Sequence, residues 1–186
     1  MIATGCVALF VFSVEPIVEG RPVKGSQYEQ ISVSAVTETP AEHQAQVIWA
    51  MSSSGATRES MIAQHTVISD GETSRLYYEV INVPPVAQRD YVLRVTLRQA
   101  GESFVIEYRT EDNEAYPVKD GKVRMQVRAT CTVSPRTEGG SQIRYDMHTE
   151  FGGDIPAWMV KEPQRRSIVE AVKKMVESGR VALATR

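Results

Sequence analysis

Alternation of apolar and polar residues along six successive segments is the feature that most constrains this fold. The segments are AQHTVIS, TSRLYYEVIN, RDYVLRVTLRQ, SFVIEYRTE, GKVRMQVRATCTV and SQIRYDMHTEF. Turn signals such as SDGE, VPPV, QAGE, VKDG and TEGG separate them. A period of two is typical of strands with one buried and one solvated face. We therefore expect an antiparallel meander whose dry face must be covered by another element.

A helical pattern at the end of the chain supplies that cover. Its apolar residues share one face at helical spacing, and they are Ile168, Val172, Met175 and Val176. Gly179 is expected to end this helix. A shorter helix is expected to begin at Thr39-Pro40-Ala41-Glu42, with Thr39 as the N-cap and Glu42 completing a capping box. It should run to about Met51 and bury Val47, Ile48 and Met51.

Two further strands are expected before the first helix. Residues 28–36, YEQISVSAV, alternate, whereas residues 20–26 carry turn chemistry. Residues 6–14, CVALFVFSV, are too short to span a bilayer and lack a basic flank, so they predict a first buried strand. A cytoplasmic location is expected, and a trimmed secretory or lipoprotein precursor is the alternative. The element order predicts an α+β fold with a curved antiparallel β-sheet wrapped around the long C-terminal α-helix.

Composition narrows the classes of function. The chain has 21 Lys and Arg against 23 Asp and Glu, so its net charge of -2 gives no electrostatic reason to expect nucleic acid as a partner. Its 186 residues, without a linker or a repeat, predict a single domain, 1–186. Cys6 and Cys131 are expected to be buried free thiols rather than a disulfide. No metal site or cofactor motif is recognised, so neither is expected.

Two segments then carry a resemblance to a known family. RDYVLRVTLRQ and GGDIPAWMVKEPQRRSIVEAVKKM, taken with the element order, resemble a START domain (the steroidogenic acute regulatory protein-related lipid transfer family). This family belongs to the helix-grip, Bet v 1-like superfamily, and the resemblance covers residues 28–176. Pro163 within the last helix and the absence of a helix before the first strand depart from the family pattern.

The resemblance implies a hydrophobic cavity between the sheet and the C-terminal helix. The expected function is therefore binding, with transfer or sensing, of a lipid, a sterol or a fatty acid-like molecule without catalysis. Strand parity and the last helix give the expected ligand-binding residues, which are Tyr91, Leu93, Val95, Phe104, Ile106, Tyr108, Met125, Val127, Tyr145, Met147, Trp158, Met159, Ile168 and Val172. Gly152, Gly153 and Pro156 are expected to form a lid or hinge, with Asp154 at or beside the helix N-cap and Trp158 in the roof.

Three alternatives remain open from the sequence. The apolar rows could form a packed core without a hollow. A polyketide aromatase/cyclase on a related scaffold would need Arg, Ser or His in the pocket, whereas the inferred dry rows hold almost no ionisable group except Tyr. The groove could also hold a protein partner. His43, His65 and His148 are scattered, so no catalytic role is assigned to them. Arg165-Arg166 is expected at the surface, where it can touch lipid headgroups if this end makes transient membrane contact.

Overall fold

The computed structural model describes residues 15–54, 62–82, 84, 86–118 and 121–185. These residues form nine strands and two helices. In chain order the elements are β1 (Ile17–Pro22), β2 (Glu29–Thr37), α1 (Ala41–Ser54), β3 (Ile62–Asp70), β4 (Ser74–Ile81), β5 (Gln88–Ala100), β6 (Ser103–Glu111), β7 (Lys122–Arg124), β8 (Gln126–Pro135), β9 (Ser141–Glu150) and α2 (Ala157–Ala184).

All the strands join one sheet in the order β1-β2-β9-β8-β6-β5-β4-β3, with antiparallel neighbours throughout this path. The predicted α+β helix-grip fold is confirmed. The fifth alternating segment divides at Met125 into β7 and β8, and β7 pairs in parallel with the start of β5. The Met125 N–H donates to the Asp90 carbonyl at 3.0 Å, so this break fastens the segment to β5.

The inner face of the sheet packs against α1 and α2 in one large cluster, which we call the main core. It contains apolar residues that the alternation placed on the buried face of the strands, including Val33, Leu93, Ile106, Cys131 and Ile143. Burial raises the pKa of the Cys131 thiol to about 12, so it is a packing residue rather than a reactive thiol.

The outer face of the sheet is not all solvated, which corrects the expectation from strand parity. Asp90 is fully buried there, and Arg124 donates to its carboxylate at 2.9 Å. Tyr78 donates to the same carboxylate at 3.2 Å, and Tyr116 stacks on Tyr78 with ring centroids 4.7 Å apart. The connection after β6 therefore covers this part of the outer face, where the aliphatic side chain of Val92 is also buried.

β1 is a strand that the sequence analysis assigned to a turn. Among the described strands it pairs with β2 alone, and all its residues are exposed. An edge strand with two solvated faces tolerates Gly20 and Pro22, which read as turn residues in the sequence. The predicted strand at 6–14 and a predicted helical turn at 57–61 lie outside the described residues.

α1 begins one residue later than predicted. The Pro40 carbonyl accepts the first helical hydrogen bond, from the Gln44 N–H at 2.9 Å, so Pro40 rather than Thr39 holds the capping position. Glu42 is exposed and contacts Gln46 instead of closing a capping box. The helix continues to Ser54, and its buried apolar residues are Ala41, Ala45, Ile48 and Trp49.

α2 also differs from its prediction at both ends. Its N-cap is Pro156 rather than Asp154, with extended backbone and no side-chain cap. Gly179 does not end the helix but lies buried within it, where a Cβ would come within 2.0 Å of the Gln44 side-chain oxygen. The helix also continues through Pro163. Among the described residues, neither helix is long and apolar enough to cross a membrane.

Candidate functional site

A cavity of about 180 Å³ lies between the inner face of the sheet and residues 159–175 of α2. Side chains from α1, the end of β4, the connection between β4 and β5, the strands β5, β6 and β9, and this part of α2 line it. The described lining is predominantly apolar and carries no charged side chain. The predicted alternation therefore leads to a hollow here and not to a fully packed interior.

Nine of the fourteen predicted ligand-binding residues line this cavity. They are Tyr91, Leu93, Val95, Tyr108, Met125, Tyr145, Met147, Met159 and Ile168. Phe104, Ile106, Val127 and Val172 do not line it and belong instead to the main core or pack against it. Strand alternation identified the inner face of the sheet correctly. It could not show which part of that face packs directly against the helices and which part lines the cavity.

The predicted roof position of Trp158 is wrong. Its side chain is 75% exposed, whereas its neighbours Met159 and Val160 line the cavity. In the first turn of α2, residues 159 and 160 face inward and residue 158 faces solvent. Trp158 is therefore an outer residue of the segment that covers the cavity.

Several lining residues are absent from the list of expected ligand-binding residues. Those on α2 are Val160, Pro163, Gln164, Ser167, Ala171 and Met175. The others are Ile48, Met51, Ser52, Ile81, Pro84, Val86, Thr149 and Phe151. A spacing of three and four residues from Val160 through Ile168 to Met175 was the available signal, and the polar or cyclic side chains within it concealed it.

Two of the polar groups in the lining are occupied by protein partners. The Tyr91 hydroxyl donates to the buried carboxylate of Glu79, which also lies 2.9 Å from the His65 Nδ1 atom. The Ser52 hydroxyl donates to the Trp49 carbonyl at 2.7 Å. The cavity wall is therefore fixed at these points by polar contacts behind it.

Two others have no partner in the part of the chain that the structure describes. The Thr149 Oγ1 and Gln164 Nε2 atoms are buried there without a hydrogen bond. Thr149 lies on β9 and Gln164 on α2, so the sheet wall and the helix wall each present one such atom.

The predicted hinge forms a tight turn between β9 and α2. Gly152 and Gly153 have φ angles of 65° and 63°, which favour glycine. A Cβ on Gly152 would come within 2.5 Å of the Arg124 carbonyl oxygen. The buried Arg89 guanidinium donates to the Phe151 carbonyl at 3.3 Å and to the Gly152 carbonyl at 3.4 Å. Burial lowers the pKa of this guanidinium. Whether the turn moves stays a prediction.

A small cluster holds the start of α2 in place, and we call it the lid cluster. It consists of buried Tyr28, Phe151, Ile155 and Val160, with Val86, Ala157 and Met159 packed against it. The Tyr28 hydroxyl donates to the Ile155 carbonyl at 2.9 Å, and its ring meets that of Phe151 edge-on at 5.2 Å. The lid cluster is separate from the main core, and side chains of both line the cavity.

Ion pairs fasten the outer side of the same segment to β2. The Glu29 carboxylate accepts hydrogen bonds from Lys161 at 3.0 Å and Arg165 at 3.1 Å. The bond from Lys161 contributes most to lowering the pKa of Glu29, and Arg165 adds to it. Arg165 therefore has a partner, whereas its neighbour Arg166 is exposed.

A curved sheet closed by a long helix over an apolar cavity defines a helix-grip domain of the kind that binds hydrophobic ligands. The START domain family model matches residues 23–182, and the chain belongs to this family. The resemblance predicted from the two sequence segments is thereby confirmed.

One relative and two solved structures are similar to this chain in part of its sequence or in its fold. An uncharacterized protein of Pseudomonas aeruginosa, PA1579, is 31% identical over 84 residues, which are 44% of this chain and 42% of that protein. The chain thus matches less than half the length of this relative. A STAR-related lipid transfer protein of Xanthomonas axonopodis has a TM-score of 0.72 at 22% identity, covering 90% of this chain and 99% of that one. Human STARD10 has a TM-score of 0.74 at 18% identity, covering 89% and 69%.

Proposed function

We propose that the domain binds a hydrophobic small molecule in the cavity and transfers or senses it without covalent chemistry. The observation that carries this proposal is the cavity itself, whose described walls are uncharged and mainly apolar. Burial of apolar ligand surface contributes about 25 cal/mol per Å², so a few hundred Å² give several kcal/mol before the entropic cost of binding. The lipid transfer proteins among the similar structures support the same conclusion.

The alternative function is that of an aromatase/cyclase enzyme. The Zhui aromatase/cyclase of a Streptomyces species shares the fold with a TM-score of 0.57 at 13% identity, covering 81% of this chain and 93% of that one. Proton transfer by a positioned His, Lys, Asp or Glu is the usual device for such chemistry. The described part of the cavity lining holds Ser52, Ser167 and three tyrosines but none of these four residue types and no Arg, and this lack of an ionisable group other than Tyr supports a carrier.

We further propose that the outer surface of the lid makes transient contact with membranes. Trp158 projects into solvent beside the cavity-covering segment, and exposed Arg166 lies two turns further along α2. An exposed Trp suits the interface between headgroups and acyl chains, and Arg suits anionic headgroups. Trp158→Ala should reduce sedimentation with anionic phosphatidylglycerol vesicles while leaving ligand affinity in solution unchanged. Equal sedimentation of the two proteins would refute this contact.

Native mass spectrometry of the purified protein tests ligand binding itself. We expect a mass increment that disappears after solvent extraction, together with a recovered apolar compound. Met147→Trp should abolish the increment because the larger side chain fills the cavity from β9. Leu97→Trp is the matched control, since Leu97 packs against the main core without lining the cavity. Persistent absence of any bound or added apolar ligand in the native protein would overturn the proposed function.

A further inference from the structure

Two polar atoms in the cavity wall have no hydrogen-bond partner. Thr149 is only 1% exposed, and its Oγ1 atom accepts and donates nothing within the described protein. The Gln164 Nε2 atom is also buried and has no partner among the described residues, although Gln164 as a whole is only half-buried. Both residues line the cavity, one from β9 and the other from the first half of α2. Unpaired buried polar atoms are rare and costly, so their occurrence in one cavity points to a missing partner.

Two other polar groups in the cavity wall differ from these atoms because they have protein partners. Tyr91 already donates to Glu79, and Ser52 donates to Trp49 and lies within 3.1 Å of an Arg75 nitrogen. These groups stabilise the wall of the cavity. The pair formed by Thr149 and Gln164 is available to a ligand instead.

We propose that Thr149 and Gln164 form a polar subsite that binds the uncharged hydroxyl or carbonyl end of an otherwise apolar ligand. The Gln164 amide can donate to such an oxygen, and the Thr149 hydroxyl can donate to it or accept from it. This inference rests on the proposed function and specifies the chemistry of its ligand.

The charge distribution selects against an anionic end. None of the described lining residues carries a positive charge that could pair with a buried carboxylate or phosphate. Burying an unpaired charge costs far more than burying a hydroxyl that makes hydrogen bonds. The subsite therefore fits a neutral lipid with a hydroxyl or carbonyl end better than a fatty acid anion.

Displacement of the neutral dye Nile red by three competitors of equal alkyl-chain length provides the test. The competitors are 1-dodecanol, 1-dodecene and dodecanoate at pH 8. The full-length protein is used throughout. The native protein should bind the alcohol at least about 10-fold more tightly than the carboxylate. Thr149→Val and Gln164→Leu should each weaken alcohol binding about 5-fold and leave alkene binding unchanged. Thr130→Val on the same sheet, outside the cavity lining, is the matched control.

Thermal unfolding of the empty protein separates a ligand-binding role from a structural one. Thr149→Val removes an unpaired buried polar atom, so its unfolding midpoint should equal or exceed that of the native protein. A lower midpoint combined with an equal loss of alcohol and alkene binding would overturn the subsite. Unchanged alcohol binding in both variants would overturn it as well. If no competitor binds the native protein, the proposed function fails together with it.

Discussion

The first half of α2, residues 157–167, covers the cavity and is held by the lid cluster, whereas the second half, residues 168–184, is built into the main core and also lines the cavity with Ile168, Ala171 and Met175. In the first half the only buried side chain is Val160, and the attachments are the lid cluster and the ion pairs with Glu29. In the second half Ile168, Ala171, Val172 and Met175 are all buried. One continuous helix therefore has a lightly attached end and a firmly packed end.

A single buried contact shows how the firm end is fixed. Gln44 of α1 is fully buried, and its amide donates to the Met175 carbonyl at 2.7 Å. Gly179, one turn further along α2, leaves the space that the Gln44 side chain occupies. The two helices thus lock together at the end of the cavity, where Met175 is its last lining residue on α2. We infer that the lid end can move while the packed end stays in place, because local opening is cheapest where few apolar contacts are lost.

The largest expected effect comes from truncating one methionine in each half. Met175→Ala should lower the free energy of unfolding by about 2–4 kcal/mol, since Met175 is buried in the main core. Met159→Ala should cost less than about 1 kcal/mol, because Met159 is only half-buried against the lid cluster. Urea denaturation of both variants measures the difference. Similar losses in the two would remove the distinction between the halves.

Gly179→Ala should have the next largest effect. The new Cβ would collide with the Gln44 side chain, and we expect a net loss of about 1–2 kcal/mol despite the better helix propensity of Ala. Gln44→Ala removes the obstacle, so adding Gly179→Ala to that variant should be neutral or stabilising. A double-mutant cycle by chemical denaturation checks this coupling. Additive losses would show that the two residues are not locked together.

Glu29→Gln should have the smallest effect on stability, about 0.5 kcal/mol, because the ion pairs are partly exposed. The folded pKa of Glu29 is depressed, so its contribution is present at neutral pH and is lost as the pH falls below 4.5 through the folded value. The native protein and the variant should therefore differ in thermal midpoint at pH 7 and converge in strong acid. Glu19→Gln on exposed β1 is the control. A constant difference across this pH range would contradict the assignment.

Much of the site could be predicted because strand parity is a local property. The alternation placed Tyr91, Met125 and Met147 on the inner face, where they line the cavity. It failed at Asp90, because burial of the outer face depends on a connection from elsewhere in the chain. Edge strand β1 gave no apolar signal because all its residues are exposed.

Several features of α2 could not be predicted from the sequence. The sequence did not show which side of its first turn meets the sheet, and because each residue turns the helix by about 100°, Met159 lines the cavity while its neighbour Trp158 lies in solvent. Gly179 and Pro163 are usual helix breakers, yet both lie inside α2. The polar lining residues Thr149 and Gln164 carry no apolar pattern, so only the three-dimensional structure reveals them.

Hydrogen–deuterium exchange along α2, with and without a bound apolar ligand, tests the central claim most directly. In the empty protein, amides of residues 157–167 should exchange markedly faster than those of residues 168–179. Addition of 1-dodecanol should slow exchange more in the first segment than in the second, which is already held by the main core. Uniform exchange along the helix, or ligand protection confined to the second segment, would contradict a cavity closed by the lightly attached half of α2.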